Sequence, residues 1–332
     1  MGAQKVTLRD IAERAHVAIS TVSMVLNNKA LEGRVRISNQ TIRKVRQIAR
    51  EVGYLSARQT VVGLIMTWFR EATEVPMTHS IIERLREGDN YHLAMGLTTK
   101  ADPKAEFEEL HIVDRKGFDG VIMEPSFALL NQLESEPGLF ANWKNLVFLN
   151  RYPFGEIPCV TIDHKRCGYL ATRHLLDGGH RRIAFMEGHY DAVPLSYRPF
   201  SEGRIVRDRF SGYCAAMAEA GEECFSVQGV KDFLAVREDV TGVYCAHTRG
   251  STELLTECWQ AGIQVPDDLS IVGQDDELAK EMARPPLTVV DVRAGEVGAL
   301  AAQMVMDLLD GEAPESAVLD PRLVVRESVR SL

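Results

Sequence analysis

The chain has 332 residues, of which 45% are hydrophobic and 26% are charged. This length favours at least two domains, and the composition excludes a disordered, collagen-like or disulfide-stapled protein. The net charge of −9 argues against a nucleic-acid partner, but residues 1–58 hold eleven Lys or Arg and four Asp or Glu, a net +7 that leaves −16 for residues 59–332. Such asymmetry indicates that the basic part has a partner of its own.

Three short helices are predicted in the first 55 residues. Thr7 and Asp10 have the spacing of a capping box, and apolar residues then recur at helical intervals. A three-residue link precedes a second helix with Val22, Val25 and Leu26 on one face. Ser38 caps a third helix. The predicted helices are Thr7 to Ala15, Ile19 to Leu26 and Ser38 to Gly53.

From Thr60 onward, short β-rich runs alternate with helical ones. Strands are predicted at Val61–Met66, His92–Leu97, Gly120–Met123, Leu146–Leu149, Val160–Ile162, Ile183–Met186, Gly242–Ala246, Ser270–Gly273 and Leu287–Val290. Helices are predicted at Ser80–Glu87, Lys104–Lys116, Arg166–Leu176, Val206–Ala220, Ser251–Ala261 and Arg293–Leu309. This alternation predicts parallel sheets with helices on both faces, arranged as two βαβ lobes. Ligands of such folds lie at the carboxyl ends of strands.

The six cysteines are widely spaced, without a Cys-x-x-Cys pair or a His at metal-ligand spacing, and predict buried free thiols. The N-terminus lacks the apolar segment of a secretory signal, and the apolar run Val61–Phe69 is too short to span a membrane. We expect a soluble cytoplasmic protein that contacts no membrane and needs no metal or other cofactor.

Two short helices and a tight turn, followed by a basic third helix, have the geometry of a helix-turn-helix domain, whose second helix enters the major groove of DNA. Small polar side chains of that helix suit phosphate and base-edge contacts; they are Ser20, Thr21, Ser23 and Asn27. Arg34 and Arg36 add attraction for phosphates, as do Arg43 and Lys44. The alternative is a small helical packing domain whose polar face is merely solvated.

Several motifs together resemble the LacI/GalR family of bacterial transcription regulators. The headpiece motifs are Val6–Ala15, Ile19–Asn27 and Arg36–Tyr54. The later motifs are Asp163 with Gly168, His174–Leu175, Gly179–Ala184, Arg209–Tyr213, Val265–Gly273 with Asp275–Asp276, and Pro285–Thr288. They occur in order along essentially the whole chain, which makes the resemblance specific.

The resemblance implies an N-terminal all-α helix-turn-helix headpiece and an α/β two-lobed, periplasmic-binding-protein-like core of doubly wound parallel sheets. We place the headpiece at 1–55, a short linker at 56–62 and the core at 63–332. Lobe one is expected at about 63–158 and 289–318, and lobe two at about 159–288 and 319–332.

The resemblance also implies a cytoplasmic, sequence-specific transcriptional regulator, a repressor that associates with the nucleoid when DNA-bound. Its homodimer, or a tetramer, would read a palindromic operator in double-stranded DNA. A small effector, a carbohydrate in the leading interpretation, would bind between the lobes. A purine- or nucleoside-responsive regulator and an effector-independent regulator are the alternatives.

For DNA recognition, the resemblance places Ile19, Ser20 and Met24 at base-reading positions. It places Thr7, Ser23 and Asn27 at phosphate-contacting positions. Met24 departs from the family, which usually has Arg there; we expect weaker discrimination for guanine, or contact with a thymine methyl. Ala18 stands where a Ser commonly caps the recognition helix, a loss of about 1 kcal/mol.

The segment after the headpiece is the larger departure from the family. Only the eight residues Leu55 to Val62 separate Tyr54 from Gly63, and they span about 26 Å extended or about 12 Å as helix. A hinge helix plus connector hardly fits. Leu55 and Arg58 are the minor-groove candidates, and we expect bending of the operator to be reduced or absent.

For the effector, the resemblance places Arg209 and Asp275 at ligand-contacting positions. A guanidinium and a carboxylate can bracket neighbouring sugar hydroxyls or a purine, although an interlobe salt bridge is the alternative. Asn150 is a further matching position. Thr67 and Trp68 end the first strand, where an aromatic ring stacks on a sugar or serves as core. His247 either touches the ligand or simply ends a strand.

An enzyme, such as a sugar-modifying enzyme, is the remaining alternative because doubly wound folds host many of them. The sequence has no Gly-x-Gly-x-x-Gly after a strand, no P-loop and no nucleophile elbow. Gly295 and Gly298 fall in an amphipathic helical run and predict close helix packing rather than a phosphate site. We therefore expect no catalytic residues.

Overall fold

The computed structural model describes residues 6–26, 37–54, 60–66, 73–88, 91–97, 102–140, 143, 145–151, 155–187, 202–274 and 283–332. Its helices are α1 (Leu8–Ala15), α2 (Ile19–Leu26), α3 (Asn39–Glu51), α4 (Glu74–Arg86), α5 (Pro103–Arg115), α6 (Phe127–Ser135), α7 (His164–Asp177), α8 (Glu202–Glu219), α9 (Val230–Val236), α10 (Thr248–Gln260) and α11 (Ala294–Leu309). Its strands are β1 (Thr60–Met66), β2 (Tyr91–Leu97), β3 (Gly120–Glu124), β4 (Leu146–Leu149), β5 (Cys159–Ile162), β6 (Ile183–Met186), β7 (Ser226–Val227), β8 (Gly242–Cys245), β9 (Ser270–Gln274), β10 (Thr288–Asp291), β11 (Ala317–Leu319) and β12 (Arg322–Val324).

Helices α1, α2 and α3 form a headpiece with its own small core. The apolar faces of the three helices bury Ile11, Ala15, Val22, Val25 and Val45 together. Ser38 accepts a hydrogen bond from the Thr41 backbone N–H at 3.2 Å, as its predicted capping role requires. The three-helix prediction for this part of the chain is confirmed.

The rest of the described chain forms two six-stranded sheets. The first has the order β11-β5-β4-β3-β1-β2 and is parallel throughout. The second has the order β12-β10-β9-β8-β6-β7, in which only β12 is antiparallel. In each sheet the strand order reverses, between β1 and β3 and between β6 and β8, and ligand crevices open at the carboxyl side of such switch points.

The sheet pairing corrects the expected lobe boundaries. Strand Cys159–Ile162 pairs with β4 and β11, so it belongs to the first sheet rather than to the second lobe. Strand Thr288–Asp291 pairs with β9 and β12, so it belongs to the second sheet rather than to lobe one. The expected linker 56–62 is also too long, because β1 already begins at Thr60.

Five short elements were not predicted from the sequence: α6, α9, β7, β11 and β12. Helix α4 begins at Glu74 rather than at the expected Ser80. Pro76 is its third residue, where the missing N–H has no partner within the helix in any case. In the described part of the chain no helix is long and apolar enough to cross a membrane.

Glycines allow two helix pairs to approach closely. A Cβ on Gly168 of α7 would lie 1.8 Å from the Arg209 carbonyl oxygen of α8, and a Cβ on Gly212 would lie 1.8 Å from that of Lys165. A Cβ on Gly298 of α11 would lie 2.2 Å from the Met77 carbonyl oxygen of α4. The predicted role of Gly298 in helix packing is therefore confirmed, and the α7–α8 contact fixes the helix that carries Arg209.

Candidate effector cleft and nucleic-acid interface

Helix α2 presents a mixed polar and apolar surface to solvent. Val22 and Val25 face the headpiece core, whereas Ile19 is 47% exposed and Ser20 is exposed. The other candidate residues of this helix are half-buried; they are Thr21, Ser23 and Met24. The structure thus brings the predicted base-reading residues Ile19, Ser20 and Met24 onto one short helix.

Thr7 caps α1 and is engaged with Asp10. Its backbone N–H and its hydroxyl both donate to Asp10 Oδ2, each at 2.7 Å. These hydrogen bonds from Thr7 hold the pKa of Asp10 below its usual value. The hydroxyl of Thr7 is therefore used within the headpiece, and a phosphate contact needs its proton to be redirected.

Eight candidate site residues lie outside the described residues. They are Asn27, Arg34, Arg36, Leu55 and Arg58 of the DNA-binding set, and Thr67, Trp68 and Asp275 of the effector set. Their assignments stay predictions.

Arg209 is the centre of the candidate effector site. It lies on α8, is 8% exposed, and donates from Nη1 to the Ala246 carbonyl oxygen at 2.5 Å. Its Nη2 lies 3.4 Å from Nδ1 of His164. Buried Nε has no hydrogen-bond partner among the described residues. A buried donor left without a partner is costly, so a ligand acceptor at Nε would satisfy it.

His164 is a component of this site that sequence reasoning did not single out. It begins α7 directly after the first-sheet strand β5, where the chain passes to the second sheet, and it is 2% exposed. Burial, and then the charges of Arg209 and Arg151, lower the pKa of His164 well below 6.5. The imidazole is therefore neutral at pH 7 and accepts from Arg209 through Nδ1.

The carboxyl ends of β3 and β4 hold a buried polar cluster. Arg151 Nη1 and Asn150 Nδ2 each lie 3.0 Å from Glu124 Oε1, and Arg151 Nε donates to the Pro125 carbonyl oxygen at 2.7 Å. Asn150 has a φ of +54°, the left-handed conformation that Asn tolerates better than most residues. Asn150 therefore lies just past the carboxyl end of β4 with its amide hydrogen-bonded to Glu124, and its contact with an effector stays a prediction.

Glu106 of α5 extends this cluster inward. It is fully buried, and its Oε2 accepts from the Ser126 backbone N–H at 2.8 Å. Oε1 has no hydrogen-bond partner among the described residues. Burial, opposed by the Ser126 hydrogen bonds and the charge of Arg151, raises the pKa of Glu106 to about 7.

His247 immediately follows Ala246, the residue whose carbonyl binds Arg209, and it precedes the first residue of α10. It is half-buried. The structure therefore brings His247 and Arg209 to the same end of β8, next to the β6–β8 switch point.

Position at a strand end would have identified His164, Glu124 and Arg151, because each lies at or just after the carboxyl end of a buried strand. Glu106 gave no such signal, since it is one of several acids on an ordinary amphipathic helix. His180, by contrast, is buried between Thr241 Oγ1 at 2.9 Å and the Arg330 carbonyl oxygen at 3.0 Å, a structural role. Among the residues described, no three His, Cys, Asp or Glu side chains are grouped as metal ligands.

Two family models match this chain. The model described as bacterial regulatory proteins, lacI family, matches residues 7–56. The model described as periplasmic binding protein-like domain matches residues 172–329.

Individual relatives match over nearly the full length. The HTH-type transcriptional regulator DegA of Bacillus subtilis is 30% identical, with 99% of each chain covered. The ribose operon repressor of Haemophilus influenzae is 28% identical, covering 98% of this chain and 99% of its own. A solved structure of the transcriptional regulator CelR in complex with cellobiose has 26% identity and a TM-score of 0.62, covering 97% of this chain and 99% of CelR.

Proposed function

This chain belongs to the LacI family of bacterial regulatory proteins and is a DNA-binding transcriptional regulator rather than an enzyme, and we propose that it is a repressor controlled by a small effector. The effector binds at the switch points of the two sheets, around Arg209. The observation that carries this proposal is the 8%-exposed guanidinium whose Nε lacks a partner among the described residues.

A carbohydrate is the effector class that this site favours. Arg209 offers a donor, the polar cluster at Asn150 offers further hydrogen-bonding groups, and His247 follows Ala246, to which Arg209 is hydrogen-bonded; these groups suit hydroxyls. The names of two relatives mention ribose and cellobiose. A purine or nucleoside remains the second candidate, because a guanidinium also pairs with purine acceptors.

The headpiece reads the operator through α2. Ile19, Ser20 and Met24 contact base edges in the major groove, and Ser23 and Thr21 support them at the phosphates. Two copies of residues 1–58, each with a net charge of +7, present a net charge of about +14 to the duplex, so affinity should fall steeply with salt.

A short connection holds the headpiece near the acidic core. Five residues separate Tyr54 from Thr60, a span of about 22 Å at most. In the same structure Arg46 of α3 lies 3.5 Å from Asp310 at the end of α11. Both observations support the proposal that the headpiece is tethered closely and that the operator is bent little.

We infer that the regulator is a homodimer. Large apolar side chains are exposed on two adjoining elements of each lobe. In the first lobe they are Val75 on α4 and Met95 on the edge strand β2, and in the second lobe they are Val236 on α9 and Trp259 on α10. Trp259 is 81% exposed, which is unusual for a Trp and typical of an interface anchor. Sedimentation of Trp259→Ser should show a weakened dimer, with Val318→Ser as an exposed apolar control.

The effector proposal is tested by thermal unfolding of the full chain with a panel of monosaccharides, disaccharides, nucleobases and nucleosides. A ligand that binds the folded state raises the melting temperature. The rise should disappear in Arg209→Met and persist in Arg207→Met, whose side chain is exposed on the same helix. A ligand that stabilises both variants equally would place the site elsewhere.

A further inference from the structure

Two cysteines outside the cleft lie side by side on the second lobe. Helix α8 ends at Glu219, and the chain reverses at Gly221, which has a φ of +74°. The backbone N–H of Glu222 donates to the Met217 carbonyl oxygen at 2.9 Å and directs the chain back along the helix. The returning segment places Cys224 between Glu222, which is hydrogen-bonded to Met217, and Phe225, which is hydrogen-bonded to Tyr213, and therefore against the stretch of α8 that carries Cys214.

The residues beside the two cysteines are locked together. The hydroxyl of buried Tyr213 accepts from the Phe225 backbone N–H at 2.8 Å and donates to the Ile183 carbonyl oxygen at 2.8 Å. The Phe225 carbonyl oxygen accepts from the Phe185 backbone N–H at 2.9 Å. These hydrogen bonds fix the segment that carries Cys224 against α8, and Cys224 is close enough to Cys214 to affect its ionisation.

The two thiols differ in accessibility. Cys224 is exposed, whereas Cys214, a residue of α8, is partly buried. Burial, and then the neighbouring Cys224, raise the pKa of Cys214 to about 12. The remaining cysteines are buried; they are Cys159, Cys167, Cys245 and Cys258. A reagent in solution therefore meets Cys224 first, and Cys214 is the thiol that stands next to it.

We propose that Cys214 and Cys224 form a reversible disulfide by exchange with a low-molecular-weight disulfide. The Cys224 thiolate attacks one sulfur of the small disulfide, forms a mixed disulfide and expels one small thiolate. Cys214 then gives its proton to solvent and attacks the Cys224 sulfur, which expels the second small thiolate. The two protein thiols are oxidised, and the small disulfide is reduced to two thiols.

The cross-link closes the turn between α8 and the edge strand β7. β7 has only two residues, and its pairing with β6 is its one sheet contact among the described residues. A covalent bond at Cys224, two residues before β7, restricts the unfolded chain and the local opening of this edge.

The test uses the folded, full-length protein with all its cysteines reduced. The protein is exposed to oxidised glutathione, and the thiols that remain are then blocked with an alkylating agent. Peptide mapping by mass spectrometry should show Cys214 linked to Cys224 with loss of the two thiol hydrogens, and dithiothreitol should reverse it. Cys258→Ser, which removes a buried thiol, should behave like the wild type.

The single variants separate the two roles. Cys214→Ser should accumulate a stable glutathione adduct on Cys224, because no second thiol displaces it. Cys224→Ser should show neither adduct nor cross-link at residue 214 on the same timescale.

A persistent glutathione adduct on wild-type Cys224 without the 214–224 link would overturn the proposal. So would a link joining Cys224 of two chains, seen as a reducible dimer in Cys214→Ser as well as in the wild type. If a variant fails to fold, the peptide map of the wild type decides alone.

Discussion

Nη2 of Arg209 lies 3.4 Å from Nδ1 of His164. This contact joins helix α8, which packs in the second lobe, to the start of α7, where the chain leaves the first sheet after β5. The neutral imidazole accepts from one end of the guanidinium, and the Ala246 carbonyl accepts from the other. These two contacts orient Nε of Arg209. A ligand there touches a group whose position depends on both lobes, which is what an effector must do to favour one arrangement of the core.

The low pKa of His164 makes stability depend on pH. Because the folded pKa lies well below 6.5, the unfolded chain binds a proton there that the folded chain does not as pH falls below 6.5. The unfolding free energy is therefore highest above pH 6.5 and decreases as the pH falls below 6.5. Urea unfolding between pH 7.5 and 5.5 should show a smaller loss for His164→Gln than for the wild type. An exposed-site control, His111→Gln, should lose as much stability as the wild type.

Glu106 should have the opposite dependence. Its pKa rises from 4.5 to about 7 on folding, so the folded carboxyl is protonated where the unfolded one is ionised, and wild-type stability falls as pH rises through that window. Glu106→Gln should therefore match the wild type near pH 4.5 and exceed it by about 3 kcal/mol at pH 8. Glu108→Gln, exposed on the same helix, is the control in the same urea titrations. If Glu106→Gln raised the unfolding free energy equally at pH 4.5 and at pH 8, this account would be contradicted.

Gly168 should tolerate no side chain. Its Cβ would meet the Arg209 carbonyl oxygen at 1.8 Å, so α7 and α8 must separate in Gly168→Ala. We expect a loss of about 3 kcal/mol in unfolding free energy, together with weaker effector binding, because Arg209 moves with α8. Gly138→Ala, where nothing lies within 4 Å of the added Cβ, is the control. If a folded Gly168→Ala protein binds the effector with unchanged affinity, Arg209 is not part of the effector site.

Met24 should determine part of the operator preference. It is half-buried on α2 and offers only apolar contact, so we expect it to favour a base pair with a thymine methyl or to discriminate weakly for guanine. Selection of duplexes from a random pool should show a changed preference at one position of each half-site for Met24→Ala, and a gain of guanine for Met24→Arg. Identical selected sequences for all three proteins would contradict the assignment.

The pattern of the sequence predicted most of the core because buried strands and amphipathic helices alternate with clear periods. It missed β7, β11 and β12 because strands of two or three residues carry no period. The error at Cys159–Ile162 has a similar origin, since a strand's run of apolar residues does not say which sheet it joins. Of the site, the resemblance supplied Arg209, Asn150 and His247. His164 could have been identified from its place just after a buried strand, whereas Glu106 emerged only from burial and hydrogen bonding in three dimensions.

The central claim is that a small molecule bound at Arg209 changes the affinity of the headpiece for DNA. Fluorescence anisotropy with a selected duplex, measured with and without the ligand that raises the melting temperature, tests it directly. We expect a two-fold symmetric duplex and a change in its Kd of about 5- to 150-fold, absent in Arg209→Met although that variant binds the duplex without ligand as the wild type does. A ligand that binds at Arg209 but leaves the Kd for DNA unchanged would contradict the account.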